Sequence, residues 1–119
     1  MKRLLTYAGL GTVMVLGTAM FHNHLVKSLP SAGDTVAASP KEIRLWFSEK
    51  PALRFTSVTL LTADSTKIVT IKAVPTTDSM AIAAPLPTPL AAGTYLVTWR
   101  TAGTDGHAIR GTYRFTIAP

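Results

Sequence analysis

The sequence of 119 residues contains no cysteine, which excludes disulfides and thiolate metal ligands. A domain exported without disulfides must be held together by its core alone, and any metal it binds must use nitrogen, oxygen or thioether donors. Thioethers are also scarce, because three of the four methionines lie within the first 20 residues and Met80 stands alone. A soft Cu(I) site needs several thioethers together, so the sequence does not predict one.

Charged residues are few and scattered, which excludes several function classes. No run of Lys and Arg resembles a nucleic-acid-binding arm, so no nucleic-acid partner is expected. The six acidic residues show no pairing typical of acid–base catalysis. With no cysteine, and no Ser or Thr in a nucleophile-elbow context, nucleophilic catalysis is not indicated either. The sequence therefore predicts a protein that is not an enzyme.

The N-terminus has the layout of a secretory signal. Lys2 and Arg3 precede an uncharged, mildly apolar run over residues 4–21. A positive start followed by an apolar segment is typical of an export signal. The alternative is an uncleaved membrane anchor, because the run approaches the length of about 20 residues that a spanning helix needs. We favour the signal, and the chain would contact a membrane only if this leader is retained.

The cleavage position decides which residue begins the mature chain. Small residues before the cut favour cleavage after Ala19, whereas cleavage after Phe21 would leave a histidine first. We assign residues 1–21 to the leader and residues 22–119 to one domain. Ten basic and six acidic residues remain in that domain, a net charge of about +4.

The domain reads as a series of strands separated by Pro, Gly, Ser and Asp turns, with no convincing helix. In the stretch EIRLWFSE, Ile43, Leu45 and Phe47 share one face and Arg44 and Trp46 share the other, which predicts a strand. Further strands are predicted in FTSVTLLTA, in STKIVTIKAV and, more weakly, in the small-residue stretch MAIAAPL.

The last third has the clearest alternation. GTYLVTWRT places Tyr95, Val97 and Trp99 on one face, and GTYRFTIAP is predicted to place Tyr113, Phe115 and Ile117 inside. Residues 102–110 are predicted to form the connection between these two strands. Short strands at this spacing predict an all-β fold, an antiparallel Greek-key β-sandwich or barrel, immunoglobulin- or cupredoxin-like, with about seven strands.

All three histidines lie near the N-terminus or in the connection before the last strand. His22 and His24 follow the apolar leader, and Asp105 and His107 lie in TDGH. In extended backbone, residues two apart point to the same side, which would make Asp105 and His107 a ligand pair. Taken alone, the motif favours the alternative, an ordinary Asp-Gly turn with an incidental histidine. Imidazole nitrogens with a carboxylate oxygen suit Cu(II), and Zn(II) accepts the same donors.

Three ordered motifs resemble the CopC-type periplasmic copper-binding proteins. HNHLVKSLPSAGDTV resembles the family opening H-x-x-L-x-x-S-x-P-x-x-G, and SPKEIRLWFSEKPALRFTSVTLL resembles P-x-x-I-x-L-x-F-S-E followed by an apolar strand. PLAAGTYLVTWRTAGTDGHAIRGTYRFTI resembles the closing motif, with D-G-H before G-x-Y. The resemblance covers nearly all of the mature chain, and it implies a Greek-key sandwich that binds one Cu(II) per chain.

The resemblance also implies the ligands. Carried over residue by residue, it assigns His22, Asp105 and His107, with His22 binding through both its imidazole and a free terminal amine. His24 occupies a position that is often histidine in the family, and we expect it to be a neighbour or a substitute ligand. Relatives usually place Ala before the first histidine, whereas this chain has Phe21. If cleavage occurs after Ala19, the amine–imidazole chelate cannot form.

The function expected from these residues is periplasmic Cu(II) sequestration or carriage in copper homeostasis or resistance, with an inner-membrane copper transporter as partner. One alternative is a metal-free immunoglobulin-like structural or interaction module, since the sandwich pattern is generic. The last in rank is a copper oxidase with an N-terminal histidine brace, which would use the same ligands.

Overall fold

The computed structural model describes residues 23–103 and 105–119. The predicted leader, residues 1–21, and the predicted ligand His22 lie outside the described residues. The described part contains nine strands, and its helical structure is one short 3₁₀ turn, Leu53–Phe55. The strands are β1 Leu25–Leu29, β2 Thr35–Val36, β3 Glu42–Phe47, β4 Ser57–Thr62, β5 Lys67–Lys72, β6 Val74–Pro75, β7 Ala81–Pro85, β8 Gly93–Ala102 and β9 Ala108–Ile117.

The strands form two sheets. One has the order β1-β3-β7-β6, and the other has the order β2-β9-β8-β4-β5. Every pair is antiparallel except β2 with β9, which is parallel. Since β2 and β6 have only two residues each, seven longer strands carry the fold. The predicted all-β sandwich of about seven strands is confirmed.

The core lies between the inner faces of the two sheets. In β3 the burial alternates residue by residue, and Ile43, Leu45 and Phe47 are buried as predicted. Tyr95, Val97 and Trp99 of β8 are also buried as predicted. Apolar side chains at every second position give each sheet one apolar face. Packing the apolar faces of the two sheets together removes both from water.

Aromatic pairs add to this core within and between the sheets. The Phe47 ring of one sheet meets the Trp99 ring of the other edge to face, with centroids 5.3 Å apart. Tyr95 and Phe115 stack within the second sheet at 5.9 Å. Such geometries stabilise beyond the area they bury. In β9, Phe115 and Ile117 are buried as predicted, whereas Tyr113 is only partly buried.

Strand β7 is buried on both of its faces. Four consecutive residues, 81–84, are buried, three of them alanines. Trp46 of β3 lies directly opposite Ala81 on the outer face of the sheet, and the Lys27 ammonium sits 4.5 Å from the Trp46 ring centroid. Small side chains are needed where a large indole covers the strand. The sequence signal was weak because the strand does not alternate between buried and exposed positions.

The β8–β9 hairpin is longer than the sequence predicts. Its strands pair without interruption from Gly93 with Ile117 to Ala102 with Ala108. The connection is therefore only residues 103–107, and the predicted connection over residues 102–110 was wrong in extent. The stretch before Arg110 has a single large apolar residue, so hydrophobic alternation could not reveal the added strand residues.

Gly111 is required by the packing of Trp99, which is its direct partner across the hairpin. A Cβ atom at position 111 would lie 2.5 Å from Cζ2 and 2.8 Å from Cε2 of the Trp99 indole. Carbon atoms in contact are normally about 3.5–4.0 Å apart. The indole therefore lies against the glycine backbone, and any larger residue would displace it.

We expect Gly111→Ala to lower the free energy of unfolding by about 1–3 kcal/mol, because the added methyl overpacks the Trp99 site. Urea unfolding followed by circular dichroism measures this loss. Arg114→Lys, at an exposed position of the same strand, serves as the control and should change stability by less than about 0.5 kcal/mol. In a double-mutant cycle, Trp99→Leu should relieve the cost of Gly111→Ala. Equal stability of Gly111→Ala and the native chain would contradict the packing argument.

A second prediction concerns alkaline stability. Burial raises the pKa of Tyr113 to about 12, and the neighbouring Ser28 hydroxyl offsets only part of this effect. The folded state therefore favours the neutral phenol. This contribution is complete below the unfolded pKa of about 10, and it is lost as the pH rises through about 12.

Between pH 9 and pH 11, the native chain should lose on the order of 1 kcal/mol more unfolding free energy than Tyr113→Phe. Urea midpoints of both chains at the two pH values measure this difference. Identical pH dependence of the two chains would show that the phenol does not titrate differently in the folded and unfolded states.

Candidate metal centre

The turn of the β8–β9 hairpin brings Asp105 and His107 together. Gly106 has a φ of +81°, a left-handed conformation that favours glycine, and its N–H donates to the Gly103 carbonyl at 3.0 Å. The backbone here is a turn, as the Asp-Gly dipeptide alone favours, rather than the extended geometry that the ligand-pair interpretation assumed. The two side chains nevertheless meet, because the chain folds back between them.

Asp105 contacts His107 through both carboxylate oxygens. Oδ1 accepts the His107 backbone N–H at 3.0 Å, and Oδ2 lies 3.0 Å from the His107 Nδ1. The backbone N–H of His107, and to a lesser extent its side chain, hold the pKa of Asp105 below its usual range. The carboxylate is therefore ionised in neutral solution, as a metal ligand must be. The His107 imidazole is 76% exposed, with Nε2 as its remaining ring nitrogen.

The first described residue is fixed at the same end of the sandwich. The Asn23 side chain is buried, and its Oδ1 accepts the Glu49 backbone N–H at 2.9 Å and the Ser48 hydroxyl at 3.2 Å. The following residue, His24, exchanges hydrogen bonds with Ser48, which extends the β1–β3 pairing by one step. Asn23 therefore anchors the start of the described chain to the end of β3.

Three side chains converge on Gly103, at the last position before the hairpin turn. A Cβ atom built on this buried glycine would lie 3.2 Å from Glu49 Oε1, 3.5 Å from Asp105 Oδ1 and 3.8 Å from Asn23 Cβ. The Ala52 N–H donates to the Ala102 carbonyl at 2.8 Å, which holds the segment after Glu49 against the end of β8. The start of the described chain, the end of β3 and the hairpin turn therefore meet at one point.

The structure brings together some of the predicted ligands. Asp105 and His107 are paired, and the His24 side chain is exposed beside this end of the molecule. Within residues 23–103 and 105–119, no group of three or more His, Asp or Glu side chains is arranged to hold a metal ion. Completing a site at the hairpin would require a donor from outside these residues, and His22 is the residue directly before Asn23.

Glu49 is a candidate that the sequence reasoning missed. It belongs to the F-S-E motif after β3, and its carboxylate oxygen lies beside Gly103 close to the Asp105 carboxylate. The signal was an acidic residue placed directly after a buried strand. Its relevance depended on which loop that strand end meets, which only the three-dimensional arrangement shows.

The residues present fit a divalent copper ion. The site offers an imidazole nitrogen and carboxylate oxygens, which are donors that Cu(II) accepts. The buried Asn23 Nδ2 also finds no hydrogen-bond acceptor among the described residues. This amide N–H group is a donor that needs an acceptor, so it is not itself a metal ligand. Met80 lies just before β7 rather than in a strand, and it is the one methionine among the described residues.

A search of the described residues for membrane spans found no helix both long and apolar enough to cross a bilayer.

Comparisons with known proteins agree with the fold and the motifs. The family model described as the CopC domain matches residues 25–118. A copper resistance protein C from Escherichia coli is 36% identical over 115 residues, covering 90% of each chain. The protein YobA from Escherichia coli K12 is 32% identical over 109 residues, covering 91% of this chain and 88% of its own length.

Solved structures give the same result. The crystal structure of CopC from Methylosinus trichosporium OB3b is 35% identical and superimposes with a TM-score of 0.76, covering 82% of this chain and 95% of its own. PcoC, described as a methionine-rich copper resistance protein from Escherichia coli, is 35% identical with a TM-score of 0.70, covering 81% and 98%. CopC family proteins bind copper and are not enzymes, which confirms the prediction that this chain is not an enzyme. A family match over residues 25–118 and relatives above 30% identity over most of the chain establish that this protein belongs to the CopC domain family.

Proposed function

We propose that this chain is a periplasmic protein that binds one Cu(II) ion and sequesters or carries it in copper resistance. The proposed ligands are His22, Asp105 and His107, with Glu49 beside them. Relatives named copper resistance protein C support the role, and the donor chemistry at the hairpin supports the metal.

The observation that carries the proposal is the position of Asn23. Its Cβ lies within about 4 Å of the point where a Gly103 Cβ would stand, beside Asp105 and Glu49. The peptide bond ties His22 to Asn23, so the chain start cannot lie far from the hairpin: successive Cα atoms are about 3.8 Å apart. A terminal histidine therefore has the reach to share an ion with His107.

Each residue has a distinct proposed role. His107 would coordinate through Nε2, because its Nδ1 faces the Asp105 carboxylate, and such a carboxylate orients an imidazole ligand. Nδ1 and Nε2 point to opposite sides of the imidazole ring, so Asp105 would have to turn away from Nδ1 in order to coordinate the same ion. His22 would contribute its imidazole and, in a chain that begins there, its amine. Glu49 would balance the charge of the ion or bind weakly at a further position.

The oxidation state follows from the donors. The relative PcoC is described as methionine-rich, whereas this domain has only Met80 after residue 22. A Cu(I) site needs several thioethers together, and imidazole with carboxylate favours Cu(II). We therefore propose a Cu(II) site without a second, soft site.

Export and delivery complete the proposal. A leader over residues 1–21 would direct the domain to the periplasm, where an inner-membrane copper transporter would receive the ion. The positively charged start followed by an uncharged run supports export. Retention of the leader as an anchor would instead hold the domain at the membrane.

Removing the hairpin ligands should weaken copper binding. In a chain that begins at His22, we expect Asp105→Ala and His107→Ala each to lower the Cu(II) affinity at least ~10-fold, because each removes a donor or the group that orients it. Competition titration with a chelator measures the affinity, and EPR reports the ligand field. Glu49→Gln should alter the spectrum less than either.

His24→Ala is the matched control, since it removes a histidine at the same end of the molecule. It should leave the affinity of the chain that begins at His22 within about threefold. Unchanged affinity and spectrum in a variant lacking both Asp105 and His107 would overturn the assignment. Absence of stoichiometric Cu(II) binding by the native domain would favour the metal-free interaction module.

The first residue of the mature chain should set the coordination mode. Intact-mass measurement of the exported protein identifies that residue. A chain that begins at His22 should bind Cu(II) more tightly than one that begins at Met20, because only the former has an amine on a ligand residue. In the longer chain, His24→Ala should weaken binding further, as His24 then substitutes for the amine. Equal affinities and spectra of the two chains would exclude the terminal amine as a ligand.

A further inference from the structure

The outer face of the β2-β9-β8-β4-β5 sheet carries basic and hydroxyl side chains. Val58 and Leu60 of β4 are buried, so their neighbours along the strand point outward. The residues that share this outer face follow from the strand register. They are Ser57, Thr59 and Leu61 of β4, Thr70 and Lys72 of β5, Leu96, Thr98 and Arg100 of β8, and Arg110, Thr112 and Arg114 of β9.

One row of residues, which runs across this face from β5 to β9, concentrates positive charge. Lys72 pairs with Ser57, Ser57 pairs with Arg100, and Arg100 pairs directly with Arg110. Four neighbouring strands at a spacing of about 4.8 Å place the whole row within roughly 14 Å. Like charges on directly opposite residues destabilise a sheet, so the Arg100–Arg110 pair is unfavourable unless an anion lies between them.

No ion pair among the described residues neutralises this row of basic side chains. Residues 1–22 contain no Asp or Glu, and none of the outer-face residues is acidic. The ion pairs among the described residues are Arg44 with Glu42 and His107 with Asp105. Arg100 and Arg110 are both exposed, and their guanidinium groups are therefore free to bind an external carboxylate.

The arginines border a shallow depression that can seat such a group. It has a volume of about 160 Å³ and is lined by Ser57, Thr59, Thr98 and Trp99 with Arg100 and Arg110. The next row of residues across the face supplies hydroxyl groups. The Thr59 and Thr70 hydroxyls are hydrogen-bonded at 2.9 Å, and the Thr98 and Thr112 hydroxyls are hydrogen-bonded at 3.1 Å. Guanidinium groups beside hydroxyl donors match the planar, two-oxygen shape of a carboxylate.

We propose that this basic face, the outer-face residues named above, docks an acidic segment of a partner protein, with carboxylates between Arg100 and Arg110. An anionic membrane is the less favoured occupant. The large exposed apolar side chains of the described chain lie elsewhere, apart from Ile68 at the β5 edge, so the face offers little to insert into lipid.

The basic face lies close to the proposed copper site, and this position suggests a role for the interaction. Arg100 and Arg110 lie two register pairs from the end of the hairpin whose turn holds Asp105 and His107. A partner docked on the basic face would reach the hairpin turn with its own metal ligands. This purpose rests on the proposed copper function, whereas the docking itself does not require copper.

The test uses the metal-free mature domain with a synthetic decaglutamate peptide in the presence of EDTA. We expect the peptide to shift the backbone amide NMR signals of residues 98–100 and 110–112, and to bind more weakly as salt is raised. Arg100→Gln with Arg110→Gln should reduce the affinity at least fivefold. Lys41→Gln with Arg54→Gln removes the same charge away from the face and should reduce it less than twofold.

Three outcomes would overturn the docking proposal. They are an equal loss of affinity in both double variants, a lower urea midpoint in the Arg100 and Arg110 variant, and tighter binding to phosphatidylglycerol vesicles than to the peptide. The lower midpoint would mean that the arginines are structural, and vesicle preference would assign the face to a membrane. Unchanged Cu(II) affinity in the same variant keeps this result separate from the copper proposal.

Discussion

The register between β8 and β9 is the constraint on which the rest of the structure depends. Ten consecutive residue pairs, from Gly93 with Ile117 to Ala102 with Ala108, fix which side chains face each way. On the inner face the register sets Trp99 against the bare backbone of Gly111, and on the outer face it sets Arg100 opposite Arg110. A shift by one residue would move every side chain of one strand to the other face. The packing of the core, the basic face and the position of the hairpin turn therefore all depend on this register.

Much of the fold could be predicted because most strands have one buried apolar face and one face exposed to solvent. Residues such as Ile43 and Val97 stand at every second position, and this period specifies both a strand and its buried side. β7 was predicted only weakly, because it is buried on both faces and its residues do not alternate. The extent of the hairpin was predicted wrongly, because backbone pairing continues past the alternating residues without large apolar side chains.

The candidate site shows a different limit of sequence reasoning. A turn and a ligand pair were competing interpretations of Asp105-Gly106-His107, but the structure makes the first the cause of the second. The left-handed Gly106 folds the chain so that the Asp105 carboxylate contacts both the backbone and the imidazole of His107. Glu49 could not be found in this way, because it meets the hairpin only through long-range packing. The position of His22 relative to this pair stays a prediction.

Copper binding as proposed would also connect the two sheets. Asn23 leads into β1 and is bonded beside the end of β3 in one sheet, whereas His107 precedes β9 in the other. An ion held by both His22 and His107 would close this end of the sandwich with a coordinate link in place of a disulfide, which this sequence cannot form. A ligand that binds only the folded state stabilises it in proportion to the logarithm of its concentration over its dissociation constant. The domain would then be more stable when loaded than when empty.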